Sequence, residues 1–351
     1  MEPERTRRRT PRRRVGEDGR RLHSAGAAVA VSLGALLLGS LLNAPGLHKS
    51  AQIQPEGWKR DVALTLAGPL DTASHALLLD RPRQGLKLAL GRSEDDDIDT
   101  GVVVPEPPAA EPPQATPGRP PKRQVFTPRR KLRLWIAGDS LVVVPGESLL
   151  RVAVDTPALE PPSRVEGRIA SGLERPDVFN WFRRIRDEVR AQKPDAVVVM
   201  FGGNDDHGYM TGLPEGRSIG AFGSATWQAE YRRRVAGIMD TVVRSGAFLV
   251  WIGLPISRDA DQTRRYDVIN AIVQSEAAKR QRRVAYLDTY FFFAGPDGGY
   301  AQYVSDSAGR LVKMRADDGV HFERAAGDLI AREVLERLEE RFVLRGGGAQ
   351  D

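Results

Sequence analysis

The chain contains no cysteine. That excludes disulfides, thiolate nucleophiles and cysteine-based zinc sites, and it leaves the compartment open, because oxidising locations permit disulfides without requiring them. Histidine is nearly as scarce: His23, His48, His75, His207 and His321 are the whole supply. Only His207 and His321 fall where the sequence is patterned like a folded domain, so a reaction that needs an imidazole base has two candidates. Charge is missing from one stretch, Ser24 to Leu47. It is also missing as an excess over most of the chain. The net charge is +6, but residues 1–22 hold nine arginines against four acidic residues and so account for five of the six positive charges. The near-neutral remainder excludes nucleic-acid binding through a basic folded face.

The uncharged stretch is apolar from Ala27 to Leu42. A helix needs about 20 such residues to span the hydrocarbon core, and arginines just before it favour a cytoplasmic N-terminus. Residues 24–47 are therefore expected to be a single-pass anchor in a bacterial plasma membrane, with 1–23 as its basic cytoplasmic tail and the rest extracytoplasmic. A cleaved signal peptide and a buried soluble helix are the competing readings; Leu42-Asn43-Ala44 and Lys49-Ser50-Ala51 fit a small-x-small cleavage site poorly.

Residues 48–92 carry Trp58, Val62, Leu64 and Leu66 and then Leu77, Leu78 and Leu79, punctuated by Pro55, Pro69 and Pro82. This predicts short helices beside the membrane, with His75 in a structural role. Residues 93–130 hold an acidic run at Glu94-Asp95-Asp96-Asp97 and nine prolines from Pro105 to Pro128, the composition of a disordered, semi-rigid spacer.

From 131 to 345 apolar runs alternate with helical periodicity. Strands are expected at 132–137, 196–201, 247–253 and 284–287, and helices at 178–191, 226–244, 266–282 and 326–341. The alternation predicts an α/β fold, a parallel sheet covered on both faces in a flavodoxin-like three-layer α/β/α sandwich. In such a sheet ligands bind at the carboxyl ends of the strands. Gly138-Asp139-Ser140, Gly202-Gly203-Asn204-Asp205 and Gly253-Leu254-Pro255 all lie at predicted ends. A serine hydroxyl is a weak nucleophile unless a base takes its proton and a third group orients that base. Asp317-Asp318-Gly319-Val320-His321 offers both partners from one turn.

These blocks resemble the SGNH or GDSL-like hydrolases: Gly138-Asp139-Ser140 matches the first block, Gly203-Asn204-Asp205 the third and Asp318-x-x-His321 the fifth. Over about residues 131–342 the chain is more closely similar to a bacterial subgroup known only as a domain of unknown function, including Ser171-Gly172-Leu173, Arg175-Pro176-Asp177 and Arg315 to Phe322. The resemblance implies an SGNH hydrolase fold, with Ser140 as nucleophile, His321 as general base and then acid, and Asp318 as its orienter. It implies an oxyanion hole made of the Ser140 and Gly172 N–H groups and the Asn204 amide. Gly167 competes with Gly172 for the second block, and Asp317 with Asp318 as orienter. Asp139 and Asp205 are expected to stabilise their loops.

His207 is a candidate substrate contact, although an exposed loop histidine is the commoner case. Asp205, Asp206 and His207 resemble a small metal cluster, but a stable site needs three or four converging ligands, and neither metal nor cofactor is expected. Arg232-Arg233-Arg234 and Arg280, Arg282 and Arg283 read as solvated helix faces, and Tyr290-Phe291-Phe292-Phe293 as core and pocket wall. The leading functional expectation is an extracytoplasmic serine esterase that removes O-acyl groups, chiefly acetyl, from an envelope glycan or related ester. The alternatives are an O-acetyltransferase working with a membrane-bound acyltransferase partner, and a non-catalytic envelope-binding protein.

Overall fold

In the computed structural model, which describes residues 25–52, 58–79, 81, 123–213, 218–306 and 308–346, the apolar runs become strands and the periodic segments helices. The expected basic tail 1–23 and residues 93–122 of the expected linker lie outside the described residues. The chain divides into an N-terminal helical unit and a second unit that holds the sheet.

The first unit contains α1 (Ala25–Leu42), α2 (Ala44–Gln52) and α3 (Trp58–Ala76). Eighteen residues of α1, none of them charged or buried, extend about 27 Å at 1.5 Å per residue. It is the one helix among the described residues that is long and apolar enough to cross a membrane. Asp71 on α3 meets His48 Nδ1 of α2 at 2.9 Å and His75 Nε2 at 3.6 Å, so His75 sits in a polar contact between helix residues.

The second unit runs β1 (Val125–Phe126), β2 (Leu132–Gly138), α4 (Val143–Val154), β3 (Leu159–Glu160), β4 (Glu166–Gly167), α5 (Trp181–Ala191) and β5 (Ala196–Met200). It continues with α6 (Ala225–Arg244), β6 (Phe248–Ile252), α7 (Ala260–Ala278), β7 (Val284–Leu287), β8 (Tyr303–Ser305), β9 (Leu311–Lys313), α8 (Arg324–Arg341) and β10 (Val343–Leu344). The main sheet is ordered β3-β2-β5-β6-β7, all parallel, and β4 also pairs with β2 at Ala137 and Gly138. Every residue of β5 and β6 is buried, as a sheet covered on both faces requires. α4 and α8 pack together on one face, while α5, α6 and α7 form the other layer. This is the flavodoxin-like α/β/α sandwich expected. Its order reverses between β2 and β5, which puts the ligand crevice at their carboxyl ends.

The α4–α8 contact is close. A Cβ on Gly327 would stand 2.7 Å from Ser148 Oγ and 2.9 Å from Val144 Cγ1, so the absence of a side chain sets the approach of the two helices. Pro145 occupies the third position of α4, where its missing N–H has no intrahelical acceptor to lose, so a Pro-Gly pair is accommodated at the start of a helix. The linker boundary also needs correction. Val125 and Phe126 pair with Val343 and Leu344, and Phe126 packs edge-on against Phe342 at 5.3 Å, so the domain begins before 131. α7 starts at Ala260, six residues earlier than expected, because Asp259 caps the N–H groups of Asp261 and Gln262.

Candidate active site

The end of β2 delivers Gly138-Asp139-Ser140 into a 3₁₀ turn, Ser140–Val142. The Asp139 carboxylate is wholly buried and accepts three backbone N–H groups, from Leu141 at 2.9 Å, Gly202 at 3.0 Å and Gly203 at 2.8 Å. It therefore ties the Ser140 turn to the turn after β5. Burial pushes its carboxyl up to about 7, with the three N–H bonds working against that rise and the charge of Asp205 adding to it.

His321 arrives from the turn before α8. Its Nε2 lies 2.8 Å from Ser140 Oγ and its Nδ1 lies 2.7 Å from Asp318 Oδ2. Asp318 Oδ1 accepts the Val320 and His321 N–H groups at 2.8 and 2.9 Å. One carboxylate oxygen thus shapes the turn and the other holds the ring. Burial raises the Asp318 pKa, but the hydrogen bonds from His321 and Val320 outweigh it and hold the carboxyl at about 2. An ionised carboxylate only accepts, so Nδ1 carries the ring proton and Nε2 is free to accept from Oγ.

Gly319 makes this turn at φ +79°, with Arg258 Cβ 2.5 Å from where its own Cβ would stand. Asp317, the alternative orienter, instead meets Lys313 at 2.9 Å and Gln302 at 2.9 Å and points into solvent.

A residue that sequence reasoning passed over holds the turn from behind. Arg315 is fully buried and donates to Ile256 O at 2.5 Å and Val320 O at 2.6 Å, with its guanidinium 5.2 Å from the Phe322 ring centre. Desolvation lowers its pKa to about 10, which still leaves it charged at neutral pH. In the sequence Arg315 only opens the block that resembles the subgroup, and nothing there gives it a role.

Asn204 donates one amide N–H to Ser171 O at 3.0 Å, which leaves its second N–H for a ligand. Gly172 packs so tightly on Asp205 that a Cβ would fall 2.0 Å from Oδ1. Among the described residues, neither the Ser140 nor the Gly172 N–H has a hydrogen-bond acceptor. Gly167, the competitor, lies in β4, paired with Gly138 of β2.

Asp205 does stabilise its loop, and more widely than its own turn. It accepts from Leu173 N, Glu174 N and Tyr231 Oη, each at 2.9 Å. His207 is half-exposed beside Asn204 O and stacks loosely on Tyr209. Asp206 Oδ2 accepts from Arg265 at 2.8 Å while its Oδ1 lies 3.4 Å from His207 Nδ1, and Asp205 is turned to Leu173, Glu174 and Tyr231; among the described residues no three acidic or histidine side chains form a metal-like group. Glu174 is buried behind the loop, and burial together with the charge of Asp205 pushes its carboxyl up to about 10. It is a neutral acid at ordinary pH.

The expectation of a solvated arginine face fails at Arg234. That side chain is fully buried, while Arg233 pairs with Glu230 at 2.7 Å nearer the surface. Arg280 is likewise engaged, bonded to Asp240 at 2.6 Å and Glu276 at 2.8 Å.

A hydroxyl, an imidazole and a carboxylate linked in this order let a proton leave oxygen as that oxygen attacks an electrophile. Two unclaimed backbone N–H groups and one amide N–H lie at the same strand ends.

Distant structural likenesses exist. A GDSL-like lipase from Bacteroides thetaiotaomicron shares 14% identity over 60% of this chain and 90% of that chain, with TM-score 0.42. An acetylxylan esterase from Geobacillus stearothermophilus shares 18% over 59% and 93%, with TM-score 0.39, and a psychrotrophic esterase from Pseudoalteromonas sp. shares 14% over 60% and 98%, with TM-score 0.38. Likenesses of this size carry no argument. No curated protein matches in sequence. A family model does match, over residues 133–337, which is more than half of the chain and takes in every residue of the cluster around Ser140: the chain belongs to the family described as "Protein of unknown function (DUF459)".

Proposed function

We propose that this protein is a serine esterase that removes O-acyl groups, chiefly acetyl, through an acyl-Ser140 intermediate. The observation that carries the reading is the unbroken line from Ser140 Oγ to His321 Nε2 at 2.8 Å and from His321 Nδ1 to Asp318 at 2.7 Å. His321 takes the Oγ proton as Oγ adds to the ester carbonyl, and Asp318 steadies the imidazolium. The oxyanion meets the N–H groups of Ser140 and Gly172 and the second amide N–H of Asn204, donors worth about 2.7–4 kcal/mol each in a well-studied hydrolase. The intermediate collapses as His321 returns the proton to the leaving alkoxide. Water then repeats the cycle on the acyl-enzyme. His207, half-exposed beside Asn204, is the candidate contact for the rest of the substrate.

The apolar α1, preceded in sequence by the arginine-rich residues 1–23, supports a membrane anchor with the catalytic unit on the far side, where an acylated envelope glycan is the available polymer. The same α1 favours one second reading, transfer of the acyl group from a membrane-bound partner to a sugar hydroxyl, since that acceptor competes with water for the same acyl-Ser140.

The test uses the full chain in detergent with p-nitrophenyl acetate and a fluorophosphonate probe. Hydrolysis and labelling are expected, and both should vanish in Ser140→Ala. Hydrolysis that survives the substitution rejects Ser140 as nucleophile. Incubation with a partly acetylated glycan, with p-nitrophenyl acetate as acyl donor, then separates the two readings, because loss of acetyl from the glycan marks the esterase and gain of acetyl from the donor marks the transferase.

A further inference from the structure

One peptide unit behind the candidate oxyanion hole is held at both ends by buried charges of opposite sign. The unit joins Leu173 to Glu174. Its N–H, on Glu174, donates to Asp205 Oδ1 at 2.9 Å, and its C=O, on Leu173, accepts from Arg234 Nη1 at 2.7 Å. Asp205 Oδ2 takes the Leu173 N–H on the side nearer Gly172. Arg234 Nη1 also reaches Glu174 O at 3.2 Å, and Nη2 reaches Thr211 O at 2.7 Å. Both charged side chains are fully buried. Glu230 balances Arg234 through Nε at 2.8 Å.

Such an arrangement is costly to build. A buried guanidinium loses its hydration and recovers it only where every donor is matched in good geometry. Here two of the matching groups are carbonyls of the segment whose first residue, Gly172, contributes a candidate oxyanion donor. A loop without regular structure has no ladder of its own to fix its N–H directions, so an external clamp is what fixes them. Preorganised donors stabilise a developing charge only if they already point at it.

We propose that Arg234 is a positioning residue for the oxyanion hole: with Asp205 it clamps the Leu173–Glu174 peptide and so aims the Gly172 N–H. This rests on the esterase reading given above. Arg234 touches no substrate, and its effect is transmitted through the loop.

The experiment compares wild type, Arg234→Met and Arg234→Lys as full chains. Rates with p-nitrophenyl acetate are normalised to folded protein, and hydrogen exchange is followed in the peptide that covers 168–176. Arg234→Met strands the Leu173 and Thr211 carbonyls, while Glu174 O keeps the Thr211 N–H at 2.9 Å, and kcat is expected to fall about 100-fold with KM within about 3-fold, the scale of one lost oxyanion donor. Exchange at 172–174 should quicken. Arg234→Lys keeps the charge but not the fork, and should fall between the two in both readouts. If Arg234→Met does not fold, the Lys variant decides alone.

A folded variant with kcat unchanged, or with kcat lowered while exchange at 172–174 stays as in wild type, overturns the proposal. A wild type that shows no Ser140-dependent turnover sinks the esterase reading, and this role of Arg234 with it. A turning-over wild type with an unaffected Arg234 variant sinks the positioning role by itself.

Discussion

Replacing Asp318 with asparagine changes one atom of the site and makes a quantitative demand. Oδ1 of Asp318 accepts the Val320 and His321 N–H groups, and Oδ2 accepts His321 Nδ1. Asparagine keeps the first oxygen and turns the second into an NH₂ group. That group cannot accept from Nδ1, so the ring proton moves to Nε2, where it faces Ser140 Oγ at 2.8 Å and blocks the base.

The matching substitution in a chymotrypsin-like enzyme lowers kcat by about 10⁴. The Asp318 side chain is 51% exposed, so water competes with the wrong tautomer and the expected loss is smaller. We expect about 10³, or about 4 kcal/mol in the barrier at 1.36 kcal/mol per decade. Swinging the amide over to present its oxygen to Nδ1 would break two backbone bonds worth about 1 kcal/mol each, which keeps the wrong arrangement favoured. Steady-state hydrolysis of p-nitrophenyl acetate measures the loss, and a thermal melt checks the fold. A loss below 10-fold in a folded variant, or an equal loss in Asp317→Asn, refutes the reasoning.

The same residue sets a pH window. The folded-state value of Asp318 lies at about 2 against a reference of 3.8, so its contribution to stability is present above about pH 4 and disappears as pH falls through 2. The stability gap between wild type and Asp318→Asn should close over that interval.

Asn204→Ala should lower kcat by about 10² to 10³ with little change in melting temperature, because it removes one oxyanion donor and one exchangeable bond to Ser171. Gly172→Ala would drive a methyl onto Asp205 Oδ1 and should cost about 1–3 kcal/mol in denaturant titrations together with most of the activity. Asp139→Asn sets an NH₂ group against donors that now share carboxylate oxygens, and each buried N–H left unpaired should cost about 1–3 kcal/mol. Wild-type Asp139 is raised from 3.8 to about 7, so its contribution to stability is complete below about pH 4 and is lost as pH rises through 7. A pH series of melts should show wild type declining more steeply than Asp139→Asn between about pH 4 and 7, with the decline due to Glu174 common to both.

The sheet was legible because β5 and β6 are continuous apolar runs, and residues buried on both faces leave no ambiguity of face or period. Ser140, Asp318 and His321 stood out as candidates because histidine is so rare here and because one block follows a strand end and the other precedes the last helix. What stayed hidden depends on partners far along the chain. Arg232, Arg233 and Arg234 look alike as letters, yet successive helix positions point about 100° apart, and the third turns inward to carbonyls some 60 residues away. β1 could not be read from Val125-Phe126, since a two-residue strand exists only by pairing with β10, more than 200 residues downstream. Likewise only the resemblance singled out Gly172, and its close packing against Asp205, 33 positions along the chain, could not be read from the letters.

The packing of α4 on α8 carries a consequence for biosynthesis. Ser140 precedes one of these helices and His321 the other, and the small residue at Gly327 sets how near they come. A ribosome that has released α1, the sheet and α7 has made a chain that holds Ser140 but not yet His321. Under the esterase reading, catalytic competence then arrives in a single late event, the docking of α8, after the apolar N-terminal helix has already left the tunnel. Nascent chains halted before His321 should therefore be inert toward esters however well their sheet has formed.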